Sequence, residues 1–248
     1  MSTATPARLR TEIMTPDIRS RDRKFFTAYA YLAVAAVFLG FARTYYLRSY
    51  TGAPPLSTVV HLHAIVFSVW MVLFAVQTSL VAAKRVALHR SLGIGSIVLA
   101  VAILALGLIT GVVGARDGWT GPQTPRDPIG GLSFLTVPIG DMVLFAAFFS
   151  MALYYRRKPE THKRLMILIM CGAIMPAAFF RLPLPVAFTF LFSFLFAGPI
   201  YDRWSRGRIH SVYKWGLPLI IFSVVLRTML GATEPWHRFA RWLIDVTL

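Results

Sequence analysis

The sequence predicts an all-α integral membrane protein, a bundle of seven transmembrane helices. Of its 248 residues, 56% are hydrophobic and only 15% are charged, and the mean hydropathy is +0.62. This composition is too apolar for an ordinary soluble domain. The apolar residues form long runs without the alternation of a membrane β-barrel, so helices are the remaining way to satisfy the backbone in lipid.

Seven segments have about the 20 apolar residues that a helix needs to cross a bilayer. We predict spans at 25–47, 57–83, 92–114, 133–155, 164–181, 184–201 and 212–231. Pro176 is expected to kink the fifth span, and RLPLPV at 181–186 to end it in a tight turn, because proline and the residue before it avoid helix interiors. Cys171 is interpreted as a small core residue of this span.

The distribution of Lys and Arg predicts the orientation, since cytoplasmic loops retain positive charge. Of the 26 basic residues, eight fall on one side of the predicted spans: Arg43, Arg48, Arg116, Arg126, Arg181, Arg227, Arg238 and Arg241. The other eighteen fall on the side of the N-terminus. We therefore expect a cytoplasmic N-terminus and an external C-terminus, in a bacterial cytoplasmic (inner) membrane.

The predicted regions are a polar, basic cytoplasmic tail at 1–24, the transmembrane domain at 25–231 and an amphipathic helix at 232–248. In the last region apolar residues recur at helical spacing opposite charged ones, which is typical of a helix lying on the membrane surface. The Gly- and Pro-rich connection 115–132 is long for a compact protein and is interpreted as either a lid or a solvated connector.

The formal charge of +16 is consistent with a lipid bilayer as the binding partner of the basic residues. The basic residues flank apolar spans, where they anchor helices and meet anionic headgroups. No basic face with stacking aromatic residues exists outside the spans, so no nucleic-acid partner is expected.

All six histidines lie at or beside the ends of apolar runs, where ionisable residues are candidates for a functional site. On the outer side, His61 and His63 are two residues apart, so in a helix their rings diverge by about 200°. They could bind one metal ion together only if this stretch is extended. In a helix, His63 shares a face with Gln77, and one of the two faces should look into the bundle.

Three further polar residues are predicted near the outer ends of the spans, namely Asp141, Arg181 and Arg227. A lone charge in hydrocarbon costs at least about 2.5 kcal/mol, so each should find a partner or water. The simplest arrangement pairs Asp141 with Arg227, as a structural clamp or as part of a polar cavity with His61 or His63 and Arg181.

Such a cavity suggests haem b or a transition metal as cofactor, because imidazole is a common ligand of both. His61 and His63 are the favoured ligands, Gln77 and the three charged residues complete the site, and His237 or Asp141 is a possible third metal ligand. An Arg-rich cavity would also suit a quinone or an anionic lipid. On the inner side, His89, His162 and His210 each precede a helix. They are a less favoured metal site or ordinary helix-start residues.

Several function classes are excluded by missing motifs. The chain has no Walker loop, HExxH, Gly-x-Ser-x-Gly or CxxC. Lys214 lies at the entrance of the last span rather than inside it, unlike the lysine of a retinal-binding protein, and the His-x-x-His boxes of membrane desaturases are missing.

The pattern HLH at 61–63, Gln77, HRSLG at 89–93 and HKRLM at 162–166 resembles that of a group of uncharacterised bacterial multi-pass membrane proteins. The resemblance covers about residues 25–235 and implies their multi-pass fold, with no activity attached. The chain is also similar to small haem-carrying membrane cytochromes and their assembly factors, which implies haem bound by histidines at helix ends.

The leading hypothesis is a cofactor-binding membrane protein of the redox class with its site near the outer leaflet. The alternative is a non-enzymatic accessory or transport protein, or a subunit of a larger membrane complex, whose polar residues clamp helices or bind a lipid or small anion. The sequence does not decide whether the protein is an enzyme.

Overall fold

In the computed structural model, which describes residues 16–52, 55–116 and 131–247, all regular elements are helical. Most of the predicted lid, 115–132, and of the N-terminal tail, 1–24, lies outside these residues. The α-helices are α1 (Pro16–Phe41), α2 (Thr58–Ala82), α3 (Val86–Arg116), α4 (Gly131–Phe134), α5 (Thr136–Tyr154), α6 (Pro159–Ile169), α7 (Pro176–Phe179), α8 (Leu184–Arg206), α9 (Ser211–Gly231) and α10 (Glu234–Thr247).

Within the described residues, six helical segments are long and apolar enough to cross a membrane. They are Asp17–Tyr46, Thr58–Ala82, Val86–Arg116, Gly131–Arg157, Leu184–Arg206 and Ser211–Gly231. Large apolar side chains such as Ile94, Val98 and Phe222 are exposed on their outer surfaces, as expected where a helix faces lipid. The fold is therefore that of an all-α, multi-pass membrane protein.

The fifth predicted span, 164–181, is an interrupted helix in the middle of the bundle. It consists of α6, a π-helical turn at Met170–Ile174 and the short α7. Pro176 has no N–H to donate, and the wider turn before it is closed by Met175 N donating to Met170 O at 2.9 Å. The side chains from Ile167 to Met175 are buried, so this segment is enclosed by the other helices.

Small residues let the surrounding helices approach this central segment. A Cβ atom at Gly40 of α1 would overlap the backbone carbonyl of Ala178 in α7. Likewise, a Cβ atom at Gly216 of α9 would overlap the side chain of Leu168 in α6. Close approach through small residues is the usual basis of helix packing in membranes.

The C-terminal amphipathic helix is present as α10. One side is docked on the bundle, with Ala240 fully buried and Trp236 Nε1 donating to Leu132 O at 2.8 Å. A second side exposes the apolar residues Phe239, Trp242 and Val246. A third carries the charged residues Glu234, Arg238, Arg241 and Asp245.

Candidate functional site

The bundle has two chemically different ends. We call "basic end" the one where the start of α1, the α2–α3 turn, the start of α6 and the α8–α9 turn lie. We call "far end" the opposite one, where α4 and α10 lie. The sequence-predicted residues are divided between the two.

His61 and His63 are at the far end, and they do not converge. Helix α2 begins at Thr58, so both histidines are helical and the extended stretch that joint coordination requires does not occur. His61 is exposed, with its ring centre 5.7 Å from that of Tyr45. His63 stacks on Phe67, with ring centres 4.1 Å apart.

Two nitrogen atoms on one face of α2 are buried without a hydrogen-bond partner in the described part of the chain. They are Nδ1 of His63 and Nε1 of Trp70, which lie seven residues, or about two turns, apart. Trp70 is 2% exposed and packs against Phe145 and Phe149 of α5. A buried donor without a partner costs several kcal/mol in an apolar medium, so this face is suited to a polar ligand or water.

Asp141 and Arg227 form the expected ion pair between α5 and α9. Arg227 Nη1 donates to Asp141 Oδ1 at 2.5 Å and to the carbonyl of Val137 at 3.1 Å. Gly140 makes room for the arginine, because a Cβ atom there would overlap Arg227 Cδ. The pair is a clamp between two helices, and both side chains are largely buried.

The other polar residues of the far end have structural partners of their own. The guanidinium of Arg181 lies 4.8 Å from the ring centre of Phe41. His237 Nε2 is 2.8 Å from Gly231 O and 2.9 Å from Ser133 Oγ, so this histidine fastens α10 to α4 and α9. The polar residues of the far end therefore have structural roles: an ion pair between α5 and α9, a cation–π contact of Arg181, and the docking of α10.

The basic end contains a network of six charged residues that the sequence did not reveal. At its centre is Arg164 of α6, which is fully buried. Its Nε and Nη2 both donate to the carboxylate of Asp202 in α8, the first at 2.7 Å. Its Nη1 donates to the side chain of Glu160 at 2.9 Å.

Asp22 of α1 is the second anchor of this six-charge network (Asp22, Glu160, Lys163, Arg164, Asp202 and Arg206). It accepts from Lys163 Nζ at 2.5 Å, from Arg206 and from the hydroxyl of Tyr201 at 2.7 Å. The three acids and three bases balance in charge and join α1, α6 and α8. Such a network satisfies buried charges that would otherwise be very unfavourable.

His210 borders the network at the start of α9. Its backbone N–H donates to Asp202 at 3.2 Å, and its Nδ1 accepts from the N–H of Val212 at 3.2 Å. Burial, followed by the nearby charge of Arg164, lowers the pKa of His210. The ring is therefore held neutral as an N-terminal cap.

His89 of α3 and His162 of α6 lie next to each other at the basic end. Their ring centres are 6.4 Å apart and the ring planes are at 80°. Nδ1 of His162 lies 2.9 Å from the carbonyl of Ala152. Since a carbonyl only accepts, this Nδ1 carries the proton and Nε2 keeps its lone pair. Burial lowers the pKa of His162, which also favours the neutral ring.

Gln77 of α2 lies beside His89, rather than near the far-end residues. With its amide nitrogen toward the histidine, it donates to His89 Nδ1 at 2.7 Å, and its oxygen accepts from Gly93 N at 3.1 Å. In this orientation His89 Nδ1 accepts, so Nε2 carries the ring proton. With the amide turned over, its oxygen would face the carbonyl of His89 and its nitrogen would face the N–H of Gly93. His89 would therefore bind a metal through Nε2 only after its proton moved to Nδ1 and Gln77 turned over.

The three histidines His89, His162 and His210 are not brought together as a set. His210 has its own contacts beside Asp202, and only His89 and His162 are neighbours. Among the described residues, no group of three or more His, Cys, Asp or Glu side chains could hold a metal ion. The donor set at the basic end is therefore a pair of imidazoles.

No protein-family model, curated protein or solved structure matches this chain.

Proposed function

We propose that the protein is a haem-binding membrane protein of the electron-transfer class, with His89 and His162 as the residues that would hold the haem iron. The observation that carries this proposal is the approach of two imidazole rings from separate helices, with centres 6.4 Å apart. The sequence favours His61 and His63 as ligands. Because these two rings point to different faces of α2, we propose the basic-end pair instead.

The two rings are close enough, with centres 6.4 Å apart, for His89 and His162 to hold one bound group together. Nδ1 of His162 faces the carbonyl of Ala152, which leaves its Nε2 free, as is usual for a histidine ligand. His89 would reach the same state once its proton moved from Nε2 to Nδ1 and the Gln77 amide turned over.

The number of ligands favours haem over a single transition-metal ion. A mononuclear site needs a third or fourth protein ligand, whereas the porphyrin supplies four and requires only one or two from the protein. Bound haem would supply a centre that accepts and donates one electron. The chain would contribute two neutral imidazoles at the ends of α3 and α6.

We further propose that 164–181 is a seventh span, enclosed by the other six, and that the N-terminus is cytoplasmic. The excess of Lys and Arg at the basic end supports this orientation. The proposed location is the bacterial cytoplasmic membrane, with α10 on its outer surface. The resemblance to bacterial multi-pass proteins and to haem-carrying membrane cytochromes supports this proposal. The protein could carry out this function as a subunit of a larger membrane complex.

A second candidate site at the far end would bind a quinone. The buried nitrogens of His63 and Trp70 favour a ligand with carbonyl oxygens and a flat ring. This site would serve the same redox class, because a quinone is itself an electron carrier.

The absorption spectrum of the purified full-length protein, recorded before and after dithionite, tests the haem proposal. We expect a Soret band and about one haem per chain, and loss of the band in His89→Ala and in His162→Ala. His61→Ala is the matched control and should keep the band. A folded protein without a Soret band contradicts the proposal. A band that survives His162→Ala but is lost in His63→Ala would place the haem at the far end.

A further inference from the structure

A groove at the basic end lies between α1 and the end of α2. Its volume is about 460 Å³, and it is lined by Ser20, Arg23, Lys24, Thr27, Ala28, Tyr31 and Ala82. The two charged side chains, Arg23 and Lys24, lie nearer the start of α1 than Ala28 and Tyr31. A lipid molecule presents a comparable change, from its charged headgroup to its acyl chains.

The two cations of the groove have no carboxylate partner in the described part of the chain. Neighbouring acids are engaged elsewhere: Asp17 pairs with Arg21, while Asp22 pairs with Lys163 and Arg206. Within the described residues, no ion pair therefore offsets the charges of Arg23 and Lys24. The groove differs in this respect from the charge-balanced network a few residues away.

The turn that follows Ala82 adds two more exposed cations. Lys84 adopts a left-handed conformation with φ of 61°, and Arg85 comes next. Like Arg23 and Lys24, they form no ion pair within the described residues. The local potential is thus positive on both sides of the groove, which attracts anions.

The floor of the groove is closed by contacts between the two helices. Thr27 Oγ1 donates to the carbonyl of Thr78 at 3.5 Å, and the hydroxyls of Tyr31 and Ser79 are 3.1 Å apart. Beyond this floor, Leu32 and Val81 are exposed apolar residues, which we expect to face acyl chains. A molecule in the groove would therefore contact cations at one end and hydrocarbon at the other.

We propose that this groove binds the headgroup phosphate of an anionic phospholipid. Arg23 supplies a guanidinium, which can bind two phosphate oxygens, and Lys24 adds a point charge. Ser20 provides a hydroxyl donor. The acyl chains would lie along the exposed apolar surfaces of α1 and α2. This inference does not depend on the haem proposal.

The test is lipid binding to the delipidated full-length protein in detergent, followed by native mass spectrometry. Phosphatidylglycerol and phosphatidylcholine are the lipid probes, and inorganic phosphate is the soluble probe. We expect one tightly bound phosphatidylglycerol, with weaker binding of phosphatidylcholine and of phosphate. The double substitution Arg23→Gln/Lys24→Gln should weaken phosphatidylglycerol binding roughly thirtyfold.

The matched control is Arg157→Gln/Lys158→Gln, which removes two adjacent exposed cations at the same end. It should leave binding at the groove unchanged. Equal loss of binding in both double variants would indicate general surface charge and overturn the proposal. If phosphatidylcholine binds as tightly as phosphatidylglycerol, the anionic headgroup is not recognised and the proposal is wrong. If inorganic phosphate binds as tightly as phosphatidylglycerol, the groove is an ion site rather than a lipid site.

Discussion

The two ends of the bundle stabilise buried charge in different ways. At the basic end, six charged side chains balance one another across three helices, and Arg164 is fully buried. At the far end, one pair, Asp141 and Arg227, joins two helices and retains 14% and 12% exposure. An enclosed cation such as Arg164 is therefore held by two carboxylates, whereas the partly exposed Arg227 is held by one carboxylate together with neutral acceptors on Val137 and Ser223.

The largest effect is expected from Arg164→Leu. Its removal leaves the buried Asp202, within the described residues, with Arg206 at 3.3 Å and the backbone of His210 as the remaining partners. We expect the free energy of unfolding to fall by about 3–5 kcal/mol, measured by denaturant titration in detergent micelles.

Two variants make this result interpretable. Arg157→Leu, an exposed arginine at the same end, should change the free energy of unfolding by less than about 0.5 kcal/mol. The double substitution Arg164→Leu/Asp202→Leu removes both charges and should recover part of the loss. If Arg164→Leu behaves like Arg157→Leu, the proposed difference between the ends is wrong.

An intermediate effect is expected from Arg227→Leu at the far end. Asp141 then loses its partner but is not fully enclosed, so we expect a decrease of about 1–3 kcal/mol in the free energy of unfolding. Gly140→Ala should act in the same direction, because the added methyl group displaces the Arg227 side chain. A loss at Arg227 as large as that at Arg164 would remove the distinction between the two ends.

The smallest effect is expected from lowering the pH, which acts on His210 beside the network. The pKa of His210 is lowered in the folded state by burial and by Arg164 and Lys163, against the opposing charges of Asp202 and Glu160. As the pH falls below the ordinary value of 6.5, the unfolded chain binds a proton that the folded ring resists. The free energy of unfolding should therefore decrease until the pH passes the folded pKa.

His210→Asn isolates this contribution, because asparagine also caps helices but does not titrate. Its free energy of unfolding, measured between about pH 7 and about pH 5, should fall less steeply than that of the unchanged protein. Identical slopes would show that His210 does not contribute to the pH dependence.

The helical fold and the far-end ion pair could be predicted because both follow from where residues lie within the apolar runs. Apolar runs give the spans, and Asp141 and Arg227 are isolated charges at matching depths. The spacing of Trp236, Ala240 and Leu243 likewise indicated α10. Each prediction used information contained within one segment.

The six-charge network and the histidine pair depend on which helix faces meet, and one segment does not contain this information. Arg164 reads as an ordinary anchor at the end of a span, and His89 and His162 as helix-start residues. One signal was available: Asp22, Glu160 and Asp202 are three of only ten acidic residues, and all lie at span ends rich in cations. Acids retained there are expected to be paired.

The enclosure of the segment 164–181 also constrains how the protein is made. If 164–181 is the seventh span, as we propose, it would expose the charge of Arg164 when alone in lipid, which is unfavourable there. Its carboxylate partner Asp202 lies later in the chain, on α8. Membrane insertion of the proposed span would therefore have to be completed by later segments, so that integration and folding are one process.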